Sequence, residues 1–298
     1  MYIHYSDVHH FSERGGAIPR DRYFDYYRDL HQQYRLALDE RSLQQGSQYT
    51  FQELGYPLLD ACHKAGHLQH LTMAIASFWS HQYDPDYAAY WLHLKEKYQL
   101  QCEMLDVSDQ GSLCALTAIA IATQYQEDDP KLLIAYMGLE QTTSPCEDLA
   151  TRIAPISTAS VLLMLGKQAI KAAQILFVNI LTEYQLCEQK YDVIHFVLSA
   201  LEKCHIALND CIFCCGRASV VFRAMQYYQA SYNLFSTSVL YHFYPAKYSS
   251  LHAVLMIHQI NALLWRPTRP YIVLIEEDVE SLNLGIIILD VSEVGGLS

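Results

Sequence analysis

Residues 103–126 read EMLDVSDQGSLCALTAIAIATQYQ, and this stretch decides the fold class. Its first residues have the length and apolar content of a strand, and residues 112–125 have the small side chains of an alanine-rich helix. An acidic turn containing Gly111 joins the two, and Cys114 falls in the first turn of the helix. The stretch therefore predicts a strand–turn–helix unit with one thiol close to the turn.

Apolar segments of strand length alternate with helical patterns on both sides of this unit. Strands are predicted at LTMAIASFW (71–79), KLLIAYMGLE (131–140), ASVLLML (159–165), AAQILFVNIL (172–181) and CIFCC (211–215), and YIVLIEED (271–278) and LGIIILDV (284–291) form a closing pair. Because each strand is a continuous apolar run, the pattern favours a largely parallel sheet covered by helices on both faces. The acidic run EEDVE at 276–280 is predicted to be a hairpin tip exposed to water.

The order of elements in the first part of the chain returns in the second part. We interpret the chain as one α/β body of two related halves, residues 1–165 and 166–298, rather than as two separate domains. The polar segment at 19–50 is predicted to be an inserted helix and loop in the first half. No low-complexity linker separates the halves.

Composition excludes several classes of partner. The 298-residue chain has a net charge of −12 and no run of Lys or Arg, whereas nucleic acid and anionic membranes select clustered positive charge. No apolar run reaches the ~18 residues of a membrane span. Nine cysteines, an odd number, with a polar start MYIHYSDVHH, indicate reduced thiols and a cytoplasmic location. The chain is 51% hydrophobic and only 17% charged, which is typical of a protein with a permanent interface.

The order of these segments resembles the thiolase fold, and within it the ketoacyl synthase III group. Three stretches support the resemblance: the region from LLDACHKAGHLQ at 58–69 to the helix after Gly111, the pair LLIAYMGLEQT and ISTASVLLML, and YIVLIEEDVESLNLGIIIL around Gly285. The resemblance covers most of residues 50–298. It implies a thiolase fold of two βαβαβ-type halves, built as layers of helices and mostly parallel sheets.

Catalysis in that group needs a cysteine nucleophile, a histidine and an asparagine. In this chain the nucleophile position falls on Gly111, the histidine position on Cys214 or Cys215, and the asparagine position near Pro245. The group's Gly-Asp-Gly-Ala turn reads Ile-Ser-Thr-Ala at 156–159. The resemblance therefore implies a chain without catalytic residues, and without a cofactor or a metal.

The stretch DVSDQGSLCAL is most similar to the non-catalytic, PqsB-type subunit of the alkylquinolone synthase heterodimer, and it equally resembles other pseudo-ketosynthases such as chain-length-factor-like partners. This resemblance implies a catalytic ketosynthase-III-like sister subunit, an acyl thioester substrate handled through that partner, and a role in secondary-metabolite or signal biosynthesis. It also implies pairing along the strand LLIAYMGLE, which makes Ile134 and Tyr136 the candidate interface residues.

Two alternatives remain open at this point. Cys114 is a buried structural thiol or, in a self-sufficient acyltransferase, a shifted nucleophile assisted by a histidine such as His242. A homodimeric protein that binds an acyl chain without chemistry is the second alternative. The histidines of HKAGHLQH at 63–70 and the Cys-x-x-Cys of CIFCC are interpreted as structural rather than metal-binding, because each lacks the further ligands of a zinc site.

Overall fold

The fold was examined in a computed structural model. It describes residues 1–12, 14, 21–35, 37–38, 40, 46–79, 85–108, 110–129, 131–142, 158–167, 171–188, 192–217, 219–232, 240–244, 250–278 and 281–294. Among these residues, no helix combines the length and the apolar character needed to cross a membrane. The predicted helix of the 19–50 segment is present as Asp21–Tyr34.

One ten-stranded sheet runs through the molecule in the order β3-β2-β4-β5-β1-β6-β10-β9-β7-β8. Its strands are β1 Tyr2–Phe11, β2 Met73–Phe78, β3 Glu103–Val107, β4 Ile134–Glu140, β5 Thr158–Gly166, β6 Gln174–Leu181, β7 Cys211–Cys215, β8 Leu240–Phe243, β9 Tyr271–Glu277 and β10 Leu284–Asp290. The first five strands have the order 3-2-4-5-1, and the last five have the same order in mirror sequence, 1-5-4-2-3. The sheet is thus built from two copies of one topology that meet at β1 and β6.

Eight α-helices accompany the sheet in the described part of the chain: α1 Asp21–Tyr34, α2 Phe51–Lys64, α3 Tyr90–Tyr98, α4 Cys114–Asp128, α5 Glu183–Glu188, α6 Val193–Lys203, α7 Val220–Tyr232 and α8 His252–Asn261. The start of α2 follows directly from its sequence. The Thr50 side chain accepts a hydrogen bond from the Glu53 amide, and the Glu53 carboxylate accepts one from the Thr50 amide. This capping box satisfies donors that a helix start otherwise leaves unpaired.

Helices α4 and α8 lie between the two halves of the sheet. The hydrophobic cluster around them includes strand residues from both halves, such as Ile75 and Ile287. The outer layers are α2 and α3 against the first half and α6 and α7 against the second. Close approach to α4 depends on small residues. Gly285 of β10 is one of them, because a Cβ there would lie 2.5 Å from Leu116 Cδ2. The alanine-rich sequence of α4 thus suits a helix buried between two sheet surfaces.

The sheet is mixed, which corrects the expectation of a mostly parallel one. Parallel pairing is confined to β3-β2-β4 and β8-β7-β9, whereas β5, β1, β6 and β10 pair antiparallel with their neighbours. The physical reason is visible in the closing pair. Only residues 278–283 separate β9 from β10, and so short a connection can join only antiparallel strands. Continuous apolar runs indicate burial on both faces but not strand direction.

Candidate functional site

The candidate site is the point at which the parallel strands of both halves end. Helices α4, α7 and α8 start there. A hydrogen bond joins the two halves here: the Ser112 hydroxyl donates to the backbone carbonyl oxygen of Glu277 at 2.8 Å. The carboxyl ends of parallel strands, next to helix N-termini, are where α/β proteins bind ligands. This centre is therefore the place at which chemistry or binding would be expected.

Gly111 begins the 3₁₀ turn Gly111–Leu113 that leads into α4. Its φ of +53° lies in the left-handed region, where residues with a side chain are strained. The Asp278 side chain lies over it: a Cβ built on Gly111 would overlap Asp278 Oδ1 and stand 2.8 Å from Asp278 Cγ. Asp278 is itself held by the Ser281 amide at 2.9 Å. The predicted nucleophile position therefore has no side chain, and one could be placed there only if the Asp278 carboxylate moved.

Two buried carboxylates reach the start of α8, one from each half of the sheet. Glu140, the last residue of β4, accepts hydrogen bonds from the amide and the hydroxyl of Ser250, both at 2.8 Å. Glu276, near the end of β9, accepts one from the Ala253 amide at 2.8 Å. Strands β4 and β9 hold equivalent places in the duplicated sheet order. The fold thus brings two acids from matching positions to one helix N-terminus, where negative charge is stabilised.

Burial raises the pKa of Glu276 well above its ordinary value, and the neighbouring charges of Glu140 and Glu277 raise it further. His252 Nδ1 lies 3.9 Å from Glu276 Oε2, and the His252 ring stacks on Tyr244 with 5.0 Å between ring centroids. Glu276 is only 4% exposed. Its carboxyl group is therefore an acid that the site holds away from water, beside a second acid.

Glu277 serves the start of α7. Its two carboxylate oxygens accept hydrogen bonds from the Val220 and Val221 amides at 2.8 and 2.9 Å. The Ser219 hydroxyl accepts a hydrogen bond from the Phe222 amide at 2.9 Å and completes the cap. Glu276 and Glu277, the last residues of β9, thus each contact the start of one helix, α8 and α7 respectively. The next residue, Asp278, lies against the turn before α4.

The acidic segment was the feature that the sequence interpretation placed incorrectly. Glu276 is buried, and Glu277 and Asp278 are half-buried, rather than lying at an exposed tip; Val279 and Glu280 are outside the described residues. Glu140 and Glu276 were not predicted as site residues at all. The available signal was an acidic residue directly after an apolar strand, which occurs in both LLIAYMGLE and YIVLIEE.

Cys114 is the first residue of α4 and is 0% exposed, so its predicted burial is confirmed. The thiol lies near the buried Tyr136, whose hydroxyl hydrogen-bonds with Ser77 Oγ at 2.8 Å. Burial raises the pKa of the Tyr136 hydroxyl, and the neighbouring Cys114 raises it further. A nucleophilic cysteine needs an accessible thiolate stabilised by positive charge. Cys114 does not have the exposure that such a nucleophile needs.

Cys214 and Cys215 lie inside β7 rather than after it, and both are 0% exposed. Burial raises the pKa of both thiols, that of Cys215 to about 12. Gly216 is the first residue after the strand. Pro245 and residues 156–157 of the predicted turn are outside the described residues, and Thr158 and Ala159 begin β5 as buried residues.

The interface predicted at Ile134 and Tyr136 is corrected by the structure. Strand β4 pairs with β2 on one side and β5 on the other, and both side chains are 0% exposed within the chain. Neither the backbone of β4 nor these side chains can contact a second chain. The outermost strands are β3 and β8.

His242 and His63, two histidines that the sequence analysis considered, both pack against aromatic rings. His242 is on β8 and stacks on Trp265, with 4.7 Å between the ring centroids, and burial lowers its pKa. His63 packs on Tyr98 at the end of α2. Among the described residues, no group of three His, Cys, Asp or Glu side chains is arranged to hold a metal ion.

Comparison with solved structures identifies the fold. The acyltransferase ChlB3 superposes with a TM-score of 0.62 at 12% identity, over 97% of each chain. A variant of OleA from Xanthomonas campestris gives 0.60 at 11% identity, over 97% of this chain and 98% of that one. The 3-oxoacyl-[acyl-carrier-protein] synthase III of Aquifex aeolicus gives 0.57 at 12% identity, over 97% and 99%. The chain therefore has the thiolase fold, as predicted.

No protein-family model matches the sequence. No curated protein matches it either. The chain is thus similar to known proteins in its three-dimensional fold but not in its sequence. The comparisons therefore do not identify the residues of the candidate site.

Proposed function

We propose that this chain is a catalytically degenerate subunit of the ketoacyl synthase III type, which pairs with an active sister chain and shapes the pocket in which that chain condenses acyl thioesters. The solved structures that share its fold include condensing enzymes and an acyltransferase. The sister chain would supply the cysteine, histidine and asparagine. The pathway would be one of secondary-metabolite or signal biosynthesis in the cytoplasm.

The observation that carries this proposal is the contact between Gly111 and Asp278. A thiolase-fold enzyme needs its nucleophile at the turn before the central helix, and here that turn has a glycine under a carboxylate. A carboxylate at this point would also repel a thiolate, because two like charges in a site of low polarity oppose each other's ionisation. The glycine at position 111 and the Asp278 carboxylate above it both oppose nucleophilic catalysis at this turn.

The buried thiols support the same conclusion. Cys114, Cys214 and Cys215 are all 0% exposed. A thioester cannot approach a thiol that is enclosed by its own core without local unfolding, and burial also raises the pKa of Cys214 and Cys215, which leaves little thiolate at neutral pH. We therefore assign these cysteines to packing.

The pairing surface follows from the sheet order. Of the two outermost strands, β3 is the longer, and its Met104 and Leu105 are partly exposed. The adjoining helix α3 carries Leu92, which is 69% exposed. An unpaired strand edge beside exposed apolar groups is a template for a strand of another chain. We place the sister subunit on β3, with an obligate interface of roughly 2,000 Å² or more.

Intact-mass spectrometry tests the proposal directly. The chain, co-expressed with a candidate sister ketosynthase and purified as a complex, is mixed with an acyl-coenzyme A. We expect acyl transfer to the sister chain alone. A covalent acyl adduct on the present chain, removed by Cys114→Ala, would instead establish the shifted-nucleophile enzyme. If the chain instead purifies without the sister chain, as a stable homodimer that retains acyl-coenzyme A without reaction, the alternative of a homodimeric acyl-binding protein would be established.

A further inference from the structure

Three buried polar side chains in the outer layer of the first half have atoms without a hydrogen-bond partner. They are Gln52 of α2, Gln141 directly after β4, and Ser160 of β5, and each is at most 5% exposed. Neither amide atom of Gln141, nor Gln52 Nε2, nor Ser160 Oγ makes a hydrogen bond with the described residues. Buried polar groups nearly always have a partner, because an unpaired one costs folding free energy. These atoms therefore point to a further hydrogen-bonding partner in this layer.

The strand register places Gln141 and Ser160 on the same face of the sheet. Adjacent residues of a strand point to opposite faces. Glu140 reaches the start of α8, so Gln141, the next residue, points to the other face. Ser160 shares its face with Leu162, which belongs to the hydrophobic cluster beneath α2. Because Leu139 is paired with Ser160, Gln141 is a diagonal neighbour of Ser160, within reach of a long side chain.

Helix α2 brings Gln52 to the same region. The segment before the helix is fixed to the ends of β4 and β5: the Ser47 amide donates to the Thr142 hydroxyl at 2.8 Å, and the Thr158 hydroxyl donates to Ser47 Oγ. Gln52 is the second residue of α2, which packs on both strands. The capping box described above already binds the amides at the start of this helix. The region is therefore defined by side chains and not by a helix N-terminus.

The three side chains offer more hydrogen-bond donors than acceptors and carry no charge. Each Gln Nε2 has two N–H groups and the Ser160 hydroxyl has one O–H, whereas the acceptors are Gln141 Oε1 and Ser160 Oγ. An excess of donors suits a carbonyl oxygen. Burying an anion without a cation is costly, which favours a neutral carbonyl group over a carboxylate. A carboxamide fits best, because it also has an N–H group that can donate to Gln141 Oε1.

We infer that Gln52, Gln141 and Ser160 form a binding site for a neutral carboxamide group, in the layer between α2 and the strands β4 and β5. Gln141 is the principal member, since both atoms of its amide are available to a ligand. Gln52 and Ser160 donate to the carbonyl oxygen of the ligand, and Gln141 pairs with its N–H. The site lies on the face of the sheet opposite α8, so the inference does not depend on the proposed function or on pairing.

Acetamide is the probe, and acetate, which has the same shape and a negative charge, is its matched control. Each is titrated into the purified chain with isotope-labelled glutamines, in whatever assembly the chain forms, and the side-chain amide signals are followed by NMR. A probe of this size reaches a buried position through local opening. We expect the signals of Gln52 and Gln141 to shift saturably with acetamide, and acetate to bind at least about tenfold more weakly. The signals are assigned by their loss in Gln52→Leu and Gln141→Leu.

Gln141→Leu should abolish the acetamide response of Gln52 while the chain stays folded, because leucine removes unpartnered polar atoms from a buried region. Gln259→Leu is the matched control: Gln259 is exposed on α8, and its removal should leave the acetamide shifts unchanged. Binding of acetate as tight as that of acetamide would overturn the inference. Signals of Gln52 and Gln141 that do not respond to acetamide, as expected if these side chains bind only water, would overturn it as well. An undiminished response of Gln52 in Gln141→Leu would do the same.

Discussion

The Asp278 carboxylate lies where a side chain on Gly111 would have to begin. This relationship joins two segments that are far apart in sequence, and it makes the space above Gly111 depend on both of them. Restoring a cysteine by one substitution would place its Cβ within the van der Waals radius of the acid.

Gly111→Ala should be more destabilising than a left-handed glycine alone explains. Gly66 is the matched control: its φ is +76° and a Cβ there meets nothing within 4 Å. We expect Gly66→Ala to lower the free energy of unfolding by about 1 kcal/mol. Gly111→Ala should lower it by roughly 1–3 kcal/mol more, because Asp278 must move. Denaturant unfolding of both variants measures the difference, and equal losses would mean that Asp278 yields freely.

Gly111→Cys should leave the chain inactive in acyl transfer, even when Asp278→Ala makes room for the new side chain. Cys214 and Cys215, near the expected histidine position, are buried thiols that cannot act as a base at neutral pH. Intact-mass measurement after incubation with an acyl-coenzyme A gives the result. An adduct on Cys at position 111 together with condensation product would show that another side chain supplies the missing chemistry.

Cys114→Ala should lower stability without lowering turnover of the assembled complex. The thiol is fully buried, so its removal leaves a small cavity and should cost roughly 1–2 kcal/mol of unfolding free energy. The kcat of the complex should stay within about twofold. A fall of about two decades or more, in protein that remains folded by circular dichroism, would show that Cys114 is the nucleophile.

Leu92→Asp should weaken pairing with the sister chain. Leu92 is 69% exposed on α3, whose neighbours Tyr90 and Trp91 both hydrogen-bond to Asp106 of β3. A charge buried in an interface without a partner opposes association. Leu264→Asp is the control, since Leu264 is 72% exposed and follows α8 rather than belonging to α3 or β3. Light scattering of each co-expressed complex should show dissociation for Leu92→Asp and not for Leu264→Asp. Dissociation only with Leu264→Asp would show that the interface lies near Leu264 instead of on β3.

Glu276→Gln should flatten the pH dependence of stability. The folded-state pKa of Glu276 is raised above the ordinary 4.5, so the folded state holds its proton more tightly than the unfolded state. The resulting stabilisation is fully present below 4.5 and is lost as the pH rises through the raised value. Glutamine keeps an oxygen for the Ala253 amide and never ionises beside Glu140. Denaturant unfolding at a series of pH values should show wild-type stability falling more steeply; parallel curves would mean that Glu276 ionises without cost.

The sequence was a good guide wherever burial alone determined the element. The strands at 159–165 and 172–181 and the helix after Gly111 are where their apolar patterns predicted them. It was a poor guide to the position of a strand in the sheet, because that position depends on which strands pair with each other. Nothing in LLIAYMGLE shows that its strand is central rather than an edge, because the neighbour on one side, β5, comes from a separate segment of the chain.

Sequence patterns were also a poor guide to which acidic residues of the site are buried. Cys114 is buried as expected for a free cysteine on a central helix. Glu276 is buried against expectation, because a charged residue after a strand is usually solvated. The Ala253 amide that compensates it is more than 20 residues away and belongs to another element. From sequence alone, an acidic residue is predicted to lie at the surface unless its hydrogen-bond donors can be identified. Those donors are distant in sequence and come together only in the folded chain.

The pairing of β1 with β5 has a consequence for how the chain folds. The partners run from Tyr2 with Gly166 to Phe11 with Thr158, so β1 cannot pair with β5 until more than 140 residues after it have been synthesised. Contacts this distant in sequence slow folding, and an unpaired strand exposed during that time is open to wrong partners. In the half of the molecule that contains the glycine turn, β1 is therefore synthesised long before the strand it pairs with, and a ribosome that stalls before residue 158 would hold β1 without β5.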